Sequence, residues 1–327
     1  PLPNDPVAVR NGGEALADVS MTVGTIQGTR IAIGQDGNTG SLTSNGVDIE
    51  PSFSFLLGQV SPLISAEQTA NGAAVLTNAD INVSGPGGPI APILGQIGVV
   101  GIGFAQGGGT SIGTMVMNGG SITTVGDIAV GVAAPIATDA TPTAMGQLTV
   151  NGTGIGSSVL TADSDQTDGG GFLIAAAQDS RTGPNATATA TASASIDNAT
   201  INADVEIALA NAINADGNSQ ATAPSVRITN SMLNGDIGIA DTTISRPNGQ
   251  ASADATLVEL INVSSVSPTI DLDIATADAF DPGTSSATAN VTLTDVNFGA
   301  SDGFYDIGDA SANDAGLANS TSTSTWT

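Results

Sequence analysis

The sequence predicts an all-β fold, a single parallel β-solenoid made of three-strand coils that repeat every 32 to 33 residues. Three observations support this prediction. Asn and Asp residues recur at a regular spacing, short apolar segments alternate with period two, and the composition is rich in Gly, Asn, Thr, Ser and Val. Period-two alternation is typical of half-buried strands, and these residues are poor helix formers. We therefore interpret the repeat as stacked strands.

The repeat is marked by an Asn or Asp that follows an apolar segment. Most members of the series are separated by 32 or 33 positions, and two intervals are longer, at 40 and 47 positions. We expect about nine rungs, with these residues forming a turn ladder in which side chains bond backbone groups and one another. The ladder residues are Asn45, Asn78, Asn118, Asn151, Asn198, Asn230, Asn262 and Asp295.

Two apolar doublets per unit are expected to supply the core. In one unit they predict that Ile228, Ile237 and Ile239 are buried, whereas Arg227 and Asp236 face solvent. A segment that alternates Ala with Thr, 186–192, predicts a third strand whose inward side chains are methyl groups. Stacked strands lie about 4.8 Å apart, so nine rungs would span on the order of 40 Å.

The sequence predicts three regions along the chain. Residues 1–14 are expected to form an N-terminal arm or cap, 15–312 the solenoid, and 313–327 a polar C-terminal tail. Terminal repeats of a solenoid need a cap or a partner because they expose the core and an unpaired strand edge. We expect the arm and the tail around Trp326 to cross a junction between subunits.

Composition excludes several classes of function. The 327 residues include 31 acidic residues and 5 arginines, with no Lys, His or Cys, and the net charge is −26. These absences remove the usual zinc sites, the Ser-His-Asp triad and the P-loop lysine, so we expect no enzyme and no cofactor. The negative charge repels phosphate backbones and anionic lipid surfaces. We therefore expect no nucleic-acid partner and no membrane insertion.

Segments such as 117–122 (Met-Asn-Gly-Gly-Ser-Ile) and 148–153 (Leu-Thr-Val-Asn-Gly-Thr) resemble the passenger repeats of bacterial autotransporters and other secreted β-helix adhesins. The resemblance is one of pattern and composition. It implies a right-handed parallel β-helix, secretion and a role at the cell surface. No signal peptide is visible at Pro1, so we expect that a leader has been removed or that the chain is a fragment of a larger protein.

The best metal candidate is Asp163, Asp165 and Asp168, followed by three glycines. Three carboxylates on a glycine-rich loop could wrap Ca²⁺, which prefers oxygen ligands. The spacing is not that of an EF-hand, and a solvated acidic loop is the alternative.

The two longest intervals of the repeat predict inserted loops, 84–98 and 156–171. They fall in the same slot of rungs that are two apart, so we expect them on one face of the solenoid, where they could bind a partner. The first loop offers an apolar interface, formed by Ile90, Ile93, Leu94 and Ile97. It belongs to an uncharged stretch, residues 81–126, which is a candidate contact patch.

These features predict a structural extracellular protein, the subunit of a self-assembling surface fibre or stalk that associates end to end. An adhesin or carbohydrate-binding passenger that uses the two loops is the alternative. A polysaccharide-active enzyme is the outlier, because Asp271 and Asp273 share one strand face but no histidine accompanies them.

Overall fold

The chain is an all-β parallel solenoid in the computed structural model. The structure describes residues 7–9, 13–18, 25–60, 68–84, 99–134, 140–154, 157–162, 171–179, 187–213, 216–267, 270–279, 282–298, 305–312 and 316–327. These residues form 26 strands and no helix, and the strands pair in two sheets whose ladders are parallel. The predicted fold class is confirmed.

Sheet B contains ten long strands, one from each rung. They are β2 (Gly13–Asp18), β4 (Thr39–Asn45), β6 (Gln68–Thr77), β9 (Gly109–Asn118), β12 (Pro142–Asn151), β15 (Thr187–Asp197), β18 (Asn218–Thr229), β21 (Gln250–Ile261), β23 (Thr284–Thr294) and β26 (Leu317–Trp326). They pair in chain order from β2 to β26. Ten rungs are therefore described, one more than the sequence predicted.

Sheet A contains the other two strands of each coil. The short first strands are β7 (Ile81–Val83), β10 (Gly120–Thr124), β13 (Ser158–Thr161), β16 (Ala199–Asn202) and β19 (Met232–Leu233). The second strands are β1 (Val7–Val9), β3 (Ile26–Gln35), β5 (Ile49–Val60), β8 (Val99–Ala105), β11 (Ile128–Ala133), β14 (Phe172–Asp179), β17 (Val205–Ala212), β20 (Ile237–Ile244), β22 (Leu272–Ala279), β24 (Tyr305–Ile307) and β25 (Ala310–Ala312).

The solenoid extends further than the sequence predicted. The predicted polar tail, 313–327, contains β26, which pairs with β23 over its full length. The predicted arm contains β1, which pairs with β3, and the first residues of β2, which pairs with β4. Alternating Ser and Thr in β26 supply the same period-two pattern as Ala and Thr elsewhere, so a polar composition does not prevent pairing.

The core residues predicted from the doublets are buried. Ile228, Ile237 and Ile239 are 1%, 2% and 1% exposed, whereas Arg227 and Asp236 are exposed. This part of the prediction is confirmed.

Truncation of one core isoleucine is expected to destabilise the solenoid measurably. Ile239→Ala removes three buried carbons and leaves a cavity, so we expect a loss of about 2–5 kcal/mol in the free energy of unfolding. Urea denaturation followed by circular dichroism measures the loss. Arg227→Ala on the exposed face is the control, with an expected change below about 1 kcal/mol, and equal effects of the two variants would show that the register is wrong.

Each second strand bends at a left-handed residue that follows the second apolar doublet. The bend residues are Gly34, Gly58, Gly103, Gly131, Ala175, Ala208, Ala240, Ala275 and Gly308, with φ between 57° and 73°. The bend turns the strand towards sheet B and narrows the coil. In rungs near the N-terminal end, glycines of sheet B face these bends, and a Cβ built at Gly113 would lie 2.0 Å from Gly103 N.

The two long insertions occupy equivalent slots. The first lies between β7 and β8 and the second between β13 and β14, so each joins the first and second strands of one rung, and these two rungs are two apart. The second insertion begins after Thr161 and not at residue 156, because Ser158–Thr161 pairs with β10 as a strand. Residues 85–98 and 163–170 lie outside the described residues.

Candidate interaction surfaces

The predicted turn ladder occupies two adjacent columns. Five members take the left-handed position after a sheet B strand, namely Asn78, Asn198, Asn230, Asn262 and Asp295, with φ between 47° and 56°. The other three, Asn45, Asn118 and Asn151, end their strands one residue earlier, and a glycine follows each. Gly46 and Gly119 take the left-handed conformation, with φ of 66° and 72°, so glycine replaces asparagine at that position without a Cβ penalty.

Side-chain bonds run along these columns. Asn151 Nδ2 donates to Asn118 Oδ1 at 2.9 Å, and Asn262 Nδ2 donates to Asn230 Oδ1 at 2.8 Å. The Thr229 hydroxyl donates to Asp197 Oδ1 at 2.6 Å, and this bond holds the pKa of Asp197 below its usual range. The columns therefore tie each rung to the next, which is a structural role.

A column of aspartates precedes the second strands. The Asp236 N–H donates to Asp204 Oδ1 at 3.0 Å, and the Asp271 N–H donates to Asp236 Oδ1 at 2.9 Å. Each carboxylate thus accepts a backbone donor from the following rung. Burial, followed by repulsion from Asp236, raises the pKa of Asp204 despite its bond to the Asp236 backbone.

A second acidic column lies on the second strands themselves. Leu173, Glu206, Gly238, Asp273 and Asp306 are in register across β14, β17, β20, β22 and β24. The Glu206 carboxylate lies over Gly238, because a Cβ built at Gly238 would be 2.1 Å from Glu206 Oε2. The glycine therefore leaves the space that the Glu206 side chain occupies.

Burial, followed by the charges of four neighbouring aspartates, raises the pKa of Glu206 to about 8. Burial, with the charges of Asp306 and Asp241 next in importance, raises the pKa of Asp273 to about 6. Burial also raises the pKa of Asp241, although the Thr276 hydroxyl donates to its Oδ1 at 2.6 Å. No cation contributes to these three shifts. At neutral pH Asp273 is therefore ionised, whereas Glu206 holds its proton.

Within the part of the chain that the structure describes, the acidic column does not form a metal centre. Among the described residues, no group of three or more acidic residues could hold a metal ion. Two grooves that described residues line lie elsewhere, one at the start of β6, β9, β12 and β15 and one at the start of β21 and β23. Asp271 and Asp273, the carboxylates considered for hydrolysis, belong to the two acidic columns.

The outer side of sheet B is almost free of ionisable residues over five consecutive strands. We define the neutral face as the outward side chains of β4, β6, β9, β12 and β15, in which Asp197 is the single ionisable residue. Val75 and Met145 on this face are 42% and 44% exposed. A threonine-lined groove of about 400 Å³ adjoins it, bordered by residues that include Thr110, Thr143 and Thr189.

Several predicted site residues lie outside the described residues. They are the candidate calcium ligands Asp163, Asp165 and Asp168 and the loop residues Ile90, Ile93, Leu94 and Ile97. Trp326 is described. It is 53% exposed at the end of β26, in register with the buried Leu293 of β23.

The described part of the chain contains no helix with the length and hydropathy needed to cross a membrane. Comparisons of the chain with protein families, with curated proteins and with solved structures find no match. The surfaces described above are therefore interpreted on their own chemistry.

Proposed function

We propose that this protein is a structural extracellular protein, the subunit of a self-assembling surface fibre or stalk whose solenoids stack end to end. The observation that carries the proposal is the order of sheet B. Its strands pair in sequence from β2 to β26, and in the described structure β26 has one strand partner, β23. A ten-residue strand with one open edge is a template for pairing with another chain.

The open edge can be assigned to particular backbone groups. The Leu317 and Thr327 N–H groups donate to the Gly283 and Leu293 carbonyls, so odd-numbered residues of β26 face β23. In a parallel ladder successive residues bond to opposite sides. The N–H groups of Ser320, Ser322 and Ser324 therefore point along the solenoid axis, away from β23.

A proline at one of these positions is expected to block stacking. Ser322→Pro removes an axial donor and leaves the β23 ladder intact, since edge prolines are tolerated where the N–H faces outward. Ser322→Ala keeps the N–H and is the matched control. We expect wild type and Ser322→Ala to form polymers that pellet in the ultracentrifuge, and Ser322→Pro to stay in the supernatant as a folded rod.

Polymers formed equally by all three chains would contradict stacking through β26.

The second candidate function is an adhesin or carbohydrate-binding module. It is favoured by the equivalent slots of the two insertions, because insertions at one slot fall on one face. Wild-type rods that adhere to cells or glycans without forming polymers would select this candidate over the fibre.

A further inference from the structure

The distribution of charge over the surface limits how two copies of this chain can meet side by side. The net charge is −26. On the second strands, the charges of Asp241 and Asp273 raise the pKa of Glu206, and the charge of Asp241 raises that of Asp273. Two copies that approached through that side would bring these like charges together, which disfavours that contact.

The neutral face has the opposite character. Val75 pairs in register with Val116, and Ile112 pairs with Met145, so two apolar pairs lie among threonines on neighbouring strands. Val116 and Ile112 are partly buried, whereas Val75 and Met145 are among the most exposed large apolar side chains described. Outward side chains on this flat surface repeat about every 4.8 Å across strands and about every 6.6 Å along them.

The size of the neutral face suits a protein interface. Five strands span about 24 Å, and ten residues along a strand span about 33 Å, so the face covers about 800 Å². A standard interface buries about 800 Å² on each partner. A two-fold axis lying in the plane of the interface would bring the same surface of both copies face to face, as isologous contacts require.

We propose that the neutral face is the lateral interface between two copies of this chain, packed sheet against sheet. A neutral polysaccharide is the competing occupant. Ligand sites of that kind are commonly lined by aromatic side chains, and the five strands of the neutral face contain none. This pairing goes beyond end-to-end stacking and does not depend on it, since the face lies along the solenoid and not at its end.

Charge placed on the neutral face is expected to prevent pairing. Val116→Glu with Met145→Glu adds two carboxylates to outward positions, and Thr256→Glu with Thr288→Glu adds the same charge to exposed positions of β21 and β23. In sedimentation velocity we expect wild type and the control to dimerise as concentration rises. The neutral-face variant should weaken dimerisation by about a hundredfold or more. Ser322→Pro in each background keeps axial polymers out of the measurement, and circular dichroism verifies folding.

A second measurement locates the contact. The chain has no cysteine, so Thr114→Cys near the centre of the neutral face accepts one spin label per copy. We expect dipolar coupling between labels that disappears in the Val116→Glu, Met145→Glu background. A monomeric wild type, or equal dimerisation of all variants, would overturn the proposal. So would a monomer that binds an insoluble neutral glucan and loses that binding on Val116→Glu, which would assign the face to carbohydrate.

Discussion

Gly113→Ala is expected to destabilise the solenoid by about 3 kcal/mol or more. The added Cβ would lie 2.0 Å from Gly103 N, 2.6 Å from Ile102 C and 2.7 Å from Leu57 O. All three are backbone atoms, so a rotamer change cannot relieve the overlap. The sheet B strand and the bent second strand would have to separate in two neighbouring rungs.

Thermal and urea unfolding of Gly113→Ala measure this effect. Gly154→Ala is the matched control, because a Cβ built there meets no atom within 4 Å. The unfolding midpoint of Gly154→Ala should stay near that of wild type, or rise slightly because alanine reduces the entropy of the unfolded chain. An unchanged midpoint for Gly113→Ala would mean that the coil is wider than described and that the bend does not contact sheet B.

Glu206→Gln is expected to stabilise the protein at pH 8 and to reduce the dependence of its stability on pH. The pKa of Glu206 is raised from 4.5 to about 8, so the native state binds the proton more tightly than the unfolded chain. The contribution of Glu206 protonation to stability is complete below about pH 4.5 and is lost as the pH rises through about 8. Asp273 adds a loss between its ordinary value of 3.8 and about 6.

The free energy of unfolding, measured from pH 5 to pH 9, tests this expectation. Because glutamine carries no charge, we expect a gain of about 1–3 kcal/mol at pH 8 and little change at pH 5. Glu259→Gln is the control. Its carboxylate lies 3.8 Å from Arg227 Nε on the surface. The free energy of unfolding of this variant should therefore stay within about 1 kcal/mol of wild type across the whole pH range. A parallel pH profile for wild type and Glu206→Gln would show that Glu206 is not the titrating group.

Much of the fold could be predicted because each coil repeats the same local chemistry. The doublet at Ile237 and Ile239 has the period of a half-buried strand. A small residue, Ala or Gly, follows the second doublet of each unit, and Ala240 is the example here. Its left-handed bend was not predictable. Alanine rarely adopts that conformation, with a φ of 57° at Ala240.

The charged and neutral surfaces were harder to predict from sequence. Glu206, Gly238 and Asp273 are separated by 32 and 35 positions, and a glycine interrupts the acidic series, so the column emerges only when the strands are in register. The uncharged stretch 81–126 pointed to part of the neutral face. The rest of that face comes from β4, β6, β12 and β15, which lie outside that stretch and join it through pairing across rungs.

The axial repeat of assembled protein, measured by electron microscopy, tests the central claim of end-to-end stacking most directly. Ten rungs are described, and at about 4.8 Å per rung each subunit should advance a fibre by about 48 Å along its axis. We predict unbranched fibres with that repeat and with strands perpendicular to the axis. Separate rods about 48 Å long with no axial neighbours, at concentrations where the protein is fully folded, would contradict the claim.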